Sequence, residues 1–173
     1  MTTGSKPPSG RTEVFHGRLV RVEVWPGRYR EIVRHPGSCA AVPLVGEDVV
    51  LVRQFRDAVG DALLEIPAGT RDVEGEEASV CAAREVLEET GHRAVGVEPL
   101  GWIYASPGFL DERVDLFLVE AEPTDTAGEP GIEVVRMPLR DAVELAATGG
   151  IRDAKSVVGL LLAARRRTED ARS

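Results

Sequence analysis

The chain has 173 residues, 43% hydrophobic and 29% charged, which is enough for one domain with its own core. Its 29 acidic and 21 basic residues give a net charge of −8, which argues against a broad basic surface for nucleic acid. A phosphorylated small molecule stays possible, because a metal and a few arginines can neutralise it locally. No apolar run approaches the roughly 18 residues of a membrane span, and Met1 to Thr12 lacks the apolar core of a signal peptide. Cys39 and Cys81 lie in apolar stretches and read as small buried side chains in a reducing compartment. A cytoplasmic protein without a nucleic-acid or membrane partner is the expectation.

Residues 1–12 read as a flexible tail. Glu13 to Val24 alternates weakly, as one strand or two short ones; Pro26-Gly27 turns the chain and Tyr29 to Arg34 resumes a strand. Residues 13–37 therefore suggest an antiparallel subregion, with Trp25 and Tyr29 beside its turn as core fillers, interface residues or nucleobase-stacking aromatics. Buried strands follow at Ser38 to Leu44 and Val49 to Val52. In Arg53-Gln54-Phe55-Arg56 a strand would turn residues 54 and 56 one way and 53 and 55 the other. Leu63 to Ile66 is a short strand ended by Pro67-Ala68-Gly69. Glu76 to Thr90 reads as a helix with acidic residues at its start, an apolar stripe of Val80, Ala83 and Leu87 with Val86 and Thr90 beside it, and Gly91 as its stop. Strands at Val95 to Ala105, Val114 to Glu120 and Ile132 to Met137 come next. The last two are separated by the polar Pro/Gly-rich loop Pro123 to Gly131. Helices over Leu139 to Thr148 and Asp153 to Arg167 close the chain, and residues 169–173 should fray. Strands with interspersed helices, lacking regular βαβ alternation, predict an α+β fold with a mixed sheet.

The acidic helix is an electrostatic anomaly. Glu85 and Glu89 are four residues apart and Glu85 and Glu88 three apart, so like charges overlie one another near the negative end of the helix dipole. A divalent cation relieves both conflicts, and carboxylate oxygens suit hard Mg²⁺, with Mn²⁺ as a substitute. His16, His35 and His92 are isolated, so a zinc cluster is not expected, and neither a P-loop nor a G-x-S-x-G pattern occurs. Carboxylate-bound metal acting on a phosphate ester or anhydride remains, with a separate carboxylate as base.

Glu76, Arg84, Glu85, Val86, Glu88, Glu89 and Gly91 stand at the spacing of the Nudix box, G-x5-E-x7-R-E-U-x-E-E-x-G-U with U apolar, and the stretch resembles it. Two positions depart: the leading glycine, Gly69, falls one residue early, leaving Thr70 at its formal place, and His92 takes the closing apolar position. Arg53 to Arg56, Glu65 to Gly69, and Tyr104 to Phe109 with Pro107 extend the resemblance to the ADP-ribose pyrophosphatase branch.

The resemblance implies a Nudix α/β/α sandwich over residues 38–168, with residues 13–37 as a small antiparallel sheet that serves homodimerisation. It implies Mg²⁺-dependent hydrolysis of ADP-ribose to AMP and ribose 5-phosphate, or of another nucleoside diphosphate sugar or dinucleotide. A non-catalytic nucleotide sensor is the reading from another class, and the intact box carboxylates count against it. By resemblance, Glu85 and Glu89 bind the metal with the Ala68 carbonyl, and Glu88 stands nearby. Arg84 orients the carboxylates, and Glu76 holds the loop. Arg56 and Arg53, with Pro107 and Gly108, fall on the substrate side; Glu112 meets the ribose or adenine. The base comes from the loop before the strand at Ile132, where Glu129 is chosen over Asp125 and Glu133.

Overall fold

A computed structural model describes residues 10–25, 30–170 and 172. The turn at Pro26-Gly27 and Tyr29 fall outside these, as does most of the expected tail. A three-stranded antiparallel sheet joins β1 (Thr12–His16), β2 (Arg21–Trp25) and β3 (Arg30–Arg34) in that order. The expected tail therefore ends earlier, since Thr12 already pairs with Val24.

The main sheet is seven-stranded and mixed. Its strands are β4 (Ser38–Val45), β5 (Asp48–Arg56), β6 (Asp61–Glu65), β7 (Ala68–Thr70), β8 (His92–Tyr104), β9 (Arg113–Pro123) and β10 (Glu133–Pro138). The order is β10-β5-β4-β9-β8, with β6 pairing β5 and β7 pairing β4; β4 and β9 run parallel. Sequence had ended the sixth strand in a loop at Ala68, but β7 pairs Ala68 with Ala40 and Gly69 with Cys39.

Helices cover both faces of this sheet, α1 (Ala78–Thr90) on one and α2 (Leu139–Ala147) with α3 (Ala154–Asp170) on the other. The period of two along a strand explains the partition. On β4, Ala40, Val42 and Leu44 join Leu116, Ile66, Ala142 and Leu160 in one core, while Cys39 and Ala41 join Val119, Cys81, Ala82 and Val86 in the other. This is the expected α/β/α sandwich. The close approach of α3 depends on Gly159, where a Cβ would come within 2.9 Å of Ile66 Cδ1 and 3.2 Å of Val42 Cγ2. The helix continues to Asp170, through residues expected to fray, and Arg165 pairs with Glu169 at 2.9 Å. No helix among the described residues is long and apolar enough to cross a membrane.

Cys39 and Cys81 are joined by a disulfide, with Cα atoms 6.2 Å apart. This replaces the reading of two separate buried thiols. The inner face of β4 and the buried face of α1 converge there, both cysteines are fully enclosed, and the bond pins the acidic helix to the sheet.

Candidate active site

Helix α1 begins at Ala78, two residues later than its charge pattern suggests. Glu77 caps it without a side-chain hydrogen bond, and its first turn holds no acid. Its buried stripe is Cys81, Ala82, Val86, Glu89 and Thr90, while Val80 is 56% exposed. The helix is thus rotated from the expected stripe Val80–Ala83–Leu87 toward Val86 and Thr90, which apolar periodicity places beside it. Burial of Cys81 against Cys39 and of the carboxylate Glu89 overrides that pattern. Gly91 closes the helix in the left-handed conformation (φ 69°), and its N–H donates to the Leu87 carbonyl at 2.9 Å.

The rotation turns Glu85 and Glu89 toward β7. The Ala68 N–H donates to Glu89 Oε2 at 3.1 Å. A Cβ on Gly69 would lie 2.0 Å from the Glu85 carboxyl, so glycine is what permits the carboxylate to rest on this strand. The glycine one residue early in the sequence is therefore the one in contact with the helix. Arg84 grips Glu76 at two points, Nε to Oε1 at 3.0 Å and Nη2 to Oε2 at 3.2 Å, and donates through Nη1 to Glu85 at 2.6 Å and Glu88 at 2.9 Å. Arg84 thereby ties Glu76, before the helix, to the carboxylates of α1.

Burial pushes the Glu89 carboxyl up to about 7; the Ala68 N–H offsets this in part and the charge of Glu85 adds to it. Glu85 is raised for the same first reason, opposed by Arg84. Two desolvated carboxylates with overlapping charge thus stand side by side, Glu85 partnered by Arg84 and Glu89 by the Ala68 N–H. Among the described residues no three acidic, histidine or cysteine side chains converge as a cluster. A hard divalent ion nevertheless fits, because Mg²⁺ commonly takes one or two protein carboxylates and fills its remaining positions with water and substrate phosphate. Glu85, Glu89 and the Ala68 carbonyl supply oxygen donors only. Glu88 is half exposed and engaged by Arg84.

Across Ala68 and Gly69 opens a cleft of about 460 Å³ whose wall includes Arg56, Glu65, Glu112, Ile103 and Lys155. Arg56 and Glu112 thus line one cleft, and Glu112 is held by the Ser38 hydroxyl at 2.5 Å. Arg53 is not: it lies on the opposite strand face, beside exposed Phe55, and pairs with Glu133 at 3.3 Å. Pro107 and Gly108 are exposed, and Pro107 lines a separate recess of about 280 Å³ with Trp25, Ile32, Tyr104 and Phe109. Glu129 is exposed, and its side chain makes no hydrogen bond or ion pair among the described residues. Its loop docks on the end of α1: Thr124 Oγ1 donates to the Gly91 carbonyl at 2.8 Å, and a Cβ on Gly128 would lie 2.6 Å from the Glu89 carbonyl. Sequence reasoning passed over Glu65, Asp153 and Lys155. One signal was available, since Lys155 is the only lysine besides Lys6 in a chain otherwise using arginine.

A three-layer α+β fold whose helix presents desolvated carboxylates beside an arginine-bearing cleft suits metal-assisted chemistry on a phosphoanhydride. The NUDIX domain family model matches residues 34–158, and the chain belongs to the Nudix hydrolase family. It is 34% identical to an ADP-ribose pyrophosphatase of Bacillus subtilis (strain 168) over 163 residues, covering 87% of this chain and 88% of the relative. It is 38% identical to a GDP-mannose pyrophosphatase of Cronobacter sakazakii (strain ATCC BAA-894) over 149 residues, covering 74% and 77%. A crystal structure of an ADP compounds hydrolase shares the fold, with a TM-score of 0.76 at 23% identity over 98% of this chain and 100% of that one.

Proposed function

We propose that the protein hydrolyses nucleoside diphosphate sugars, and that its substrate is ADP-ribose, cleaved at the pyrophosphate to AMP and ribose 5-phosphate with Mg²⁺. The observation that carries the reading is the Glu85–Glu89 pair, both desolvated, Glu85 engaged by Arg84 and Glu89 hydrogen-bonded only by the Ala68 N–H among the described residues, next to the cleft holding Arg56 and Glu112. The similarity to the B. subtilis ADP-ribose pyrophosphatase supports the substrate.

Bound Mg²⁺ would polarise the phosphoryl oxygens and lower the pKa of a coordinated water. The chain's own groups do the rest. Glu85, Glu89 and the Ala68 carbonyl would hold the ion, and Arg84 keeps Glu85 and Glu88 oriented. Arg56 would bind phosphate and Glu112, fixed by Ser38, a ribose hydroxyl. Glu129 would take the proton of the attacking water once its loop, seated on the end of α1, turns inward. Asp125 is exposed on the same loop, whereas Glu133 is paired with Arg53. Arg53, Pro107 and Gly108 would reach substrate only beyond the cleft.

The homodimer is part of the proposal, supported by exposed Val14, Phe15 and Leu19 on the N-terminal sheet and its β1–β2 turn. So is the cytoplasmic location, although the enclosed Cys39–Cys81 disulfide runs against a reducing compartment. The similarity to a GDP-mannose pyrophosphatase favours a second reading, with that sugar nucleotide as substrate. Comparing kcat/KM for ADP-ribose, GDP-mannose and a dinucleotide with Mg²⁺ tests the choice. The proposal expects the highest value for ADP-ribose; a higher value for GDP-mannose would transfer the assignment, and tight binding without turnover would make the protein a sensor.

A further inference from the structure

Glu65 ends β6 with its side chain 1% exposed, a costly place for a charge unless it is fully engaged. It is engaged on two sides. Arg56 donates Nε to Oε1 and Nη2 to Oε2, both at 2.8 Å, and Lys155 Nζ donates to Oε2. Lys155, 14% exposed, also pairs with Asp153 at 2.9 Å. Asp153 accepts from the Ser156 hydroxyl at 2.5 Å, and that oxygen accepts the Ile66 N–H at 2.8 Å, locking the start of α3 to the end of β6. Two cations and two carboxylates thus form one neutral array on the cleft wall.

A purely structural tie between β6 and α3 would be served as well, or better, by apolar side chains. What the ionic array achieves is orientation. The two-point grip fixes the plane of the Arg56 guanidinium. Nη1, the nitrogen left over, has no partner among the described residues. Lys155 is held on the same wall from the helix side.

We infer that Glu65 is a positioning residue, clamping Arg56 and Lys155 as a fixed pair of cations that receives the diphosphate of the substrate. The inference rests on the nucleoside diphosphate sugar reading above. It predicts that Glu65→Gln raises KM by about tenfold or more, as expected when one member of a buried charge pair is removed, with a smaller change in kcat. Arg56→Met should do the same. The double variant should be no worse than Arg56→Met alone, because Glu65 acts through Arg56.

The measurement is KM and kcat with Mg²⁺ on both ADP-ribose and GDP-mannose, for the two single variants and the double variant, with circular dichroism to verify folding. A wild type active only on GDP-mannose would overturn the ADP-ribose assignment while leaving the Glu65 comparison intact on the other substrate. Unchanged KM in folded Glu65→Gln, or fully additive effects in the double variant, would overturn the positioning role. Should Glu65→Gln fail to fold, Lys155→Met carries the test: KM should rise and Lys155→Arg should restore it. A wild-type KM in Lys155→Met would refute the clamp.

Discussion

Glu89 is where stability and function pull hardest against each other, and Glu89→Gln separates them. Glutamine keeps the shape and can still accept the Ala68 N–H that Glu89 Oε2 accepts at 3.1 Å, but it cannot ionise. In the metal-free protein the Glu89 carboxyl is raised from 4.5 to about 7. A raised acid is favoured in its protonated form, so no penalty exists below the unfolded value. The penalty grows as pH rises from 4.5 to about 7 and is complete above it. The ionised side chain then costs the fold about 3 kcal/mol. In EDTA at pH 8, Glu89→Gln should melt roughly 6–12 °C above wild type, at 2–4 °C per kcal/mol for a domain of this size. At pH 5 the gap should nearly close. With Mg²⁺ the gap should narrow, because the wild type, keeping both carboxylates, gains more stability by binding the ion. Differential scanning fluorimetry over the pH series reads all three. A variant that melts at or below wild type at pH 8 in EDTA, or a gap of equal size at pH 5, would refute the reasoning.

Gly69→Ala should displace the Glu85 carboxyl and lower kcat by at least about tenfold while leaving the fold intact, because the side chain it meets can swing away; wild-type kcat would remove the close approach from the account. Replacing Cys39 and Cys81 by serine should cost about 2–4 kcal/mol of stability in urea titration, since the bond closes a sequence separation of 42 residues; intact-mass measurement finding two free thiols would refute the crosslink itself. Glu129→Gln should slow kcat by about 10²-fold with KM little changed; unaltered kcat would pass the role of base to another acid of the loop, Asp125 first.

The α+β class and its mixed sheet were legible because their signals are local and redundant, whereas the sandwich followed from the Nudix resemblance. Short, nearly continuous apolar runs on β4 and β9, glycine stops, and apolar segments at helical spacing each mark their element. The carboxylate site was legible for a different reason: Glu85, Glu88, Glu89 and Arg84 sit on one helix, where spacing fixes geometry. What escaped was set by contacts distant in sequence. The rotation of α1 follows from burial of Cys81 and Glu89 against β4 and β7, which apolar periodicity cannot register. The Glu65–Lys155 pair spans 90 positions and joins a strand end to a helix start, so neither residue announces the other. Arg53 and Arg56 stand three apart, and the alternation of a strand had already placed them on opposite faces. Only the neighbouring strands show which face meets the cleft.

The central claim is that the protein hydrolyses a sugar nucleotide at its pyrophosphate with a divalent ion that Glu85 and Glu89 would hold. Its most direct test is chromatographic: ADP-ribose is incubated with the protein and Mg²⁺, and the products are resolved, with EDTA and Glu85→Gln as controls. AMP and ribose 5-phosphate should appear in equal amounts, and both controls should abolish them. Undiminished product in EDTA, or wild-type rates in Glu85→Gln, would contradict the account.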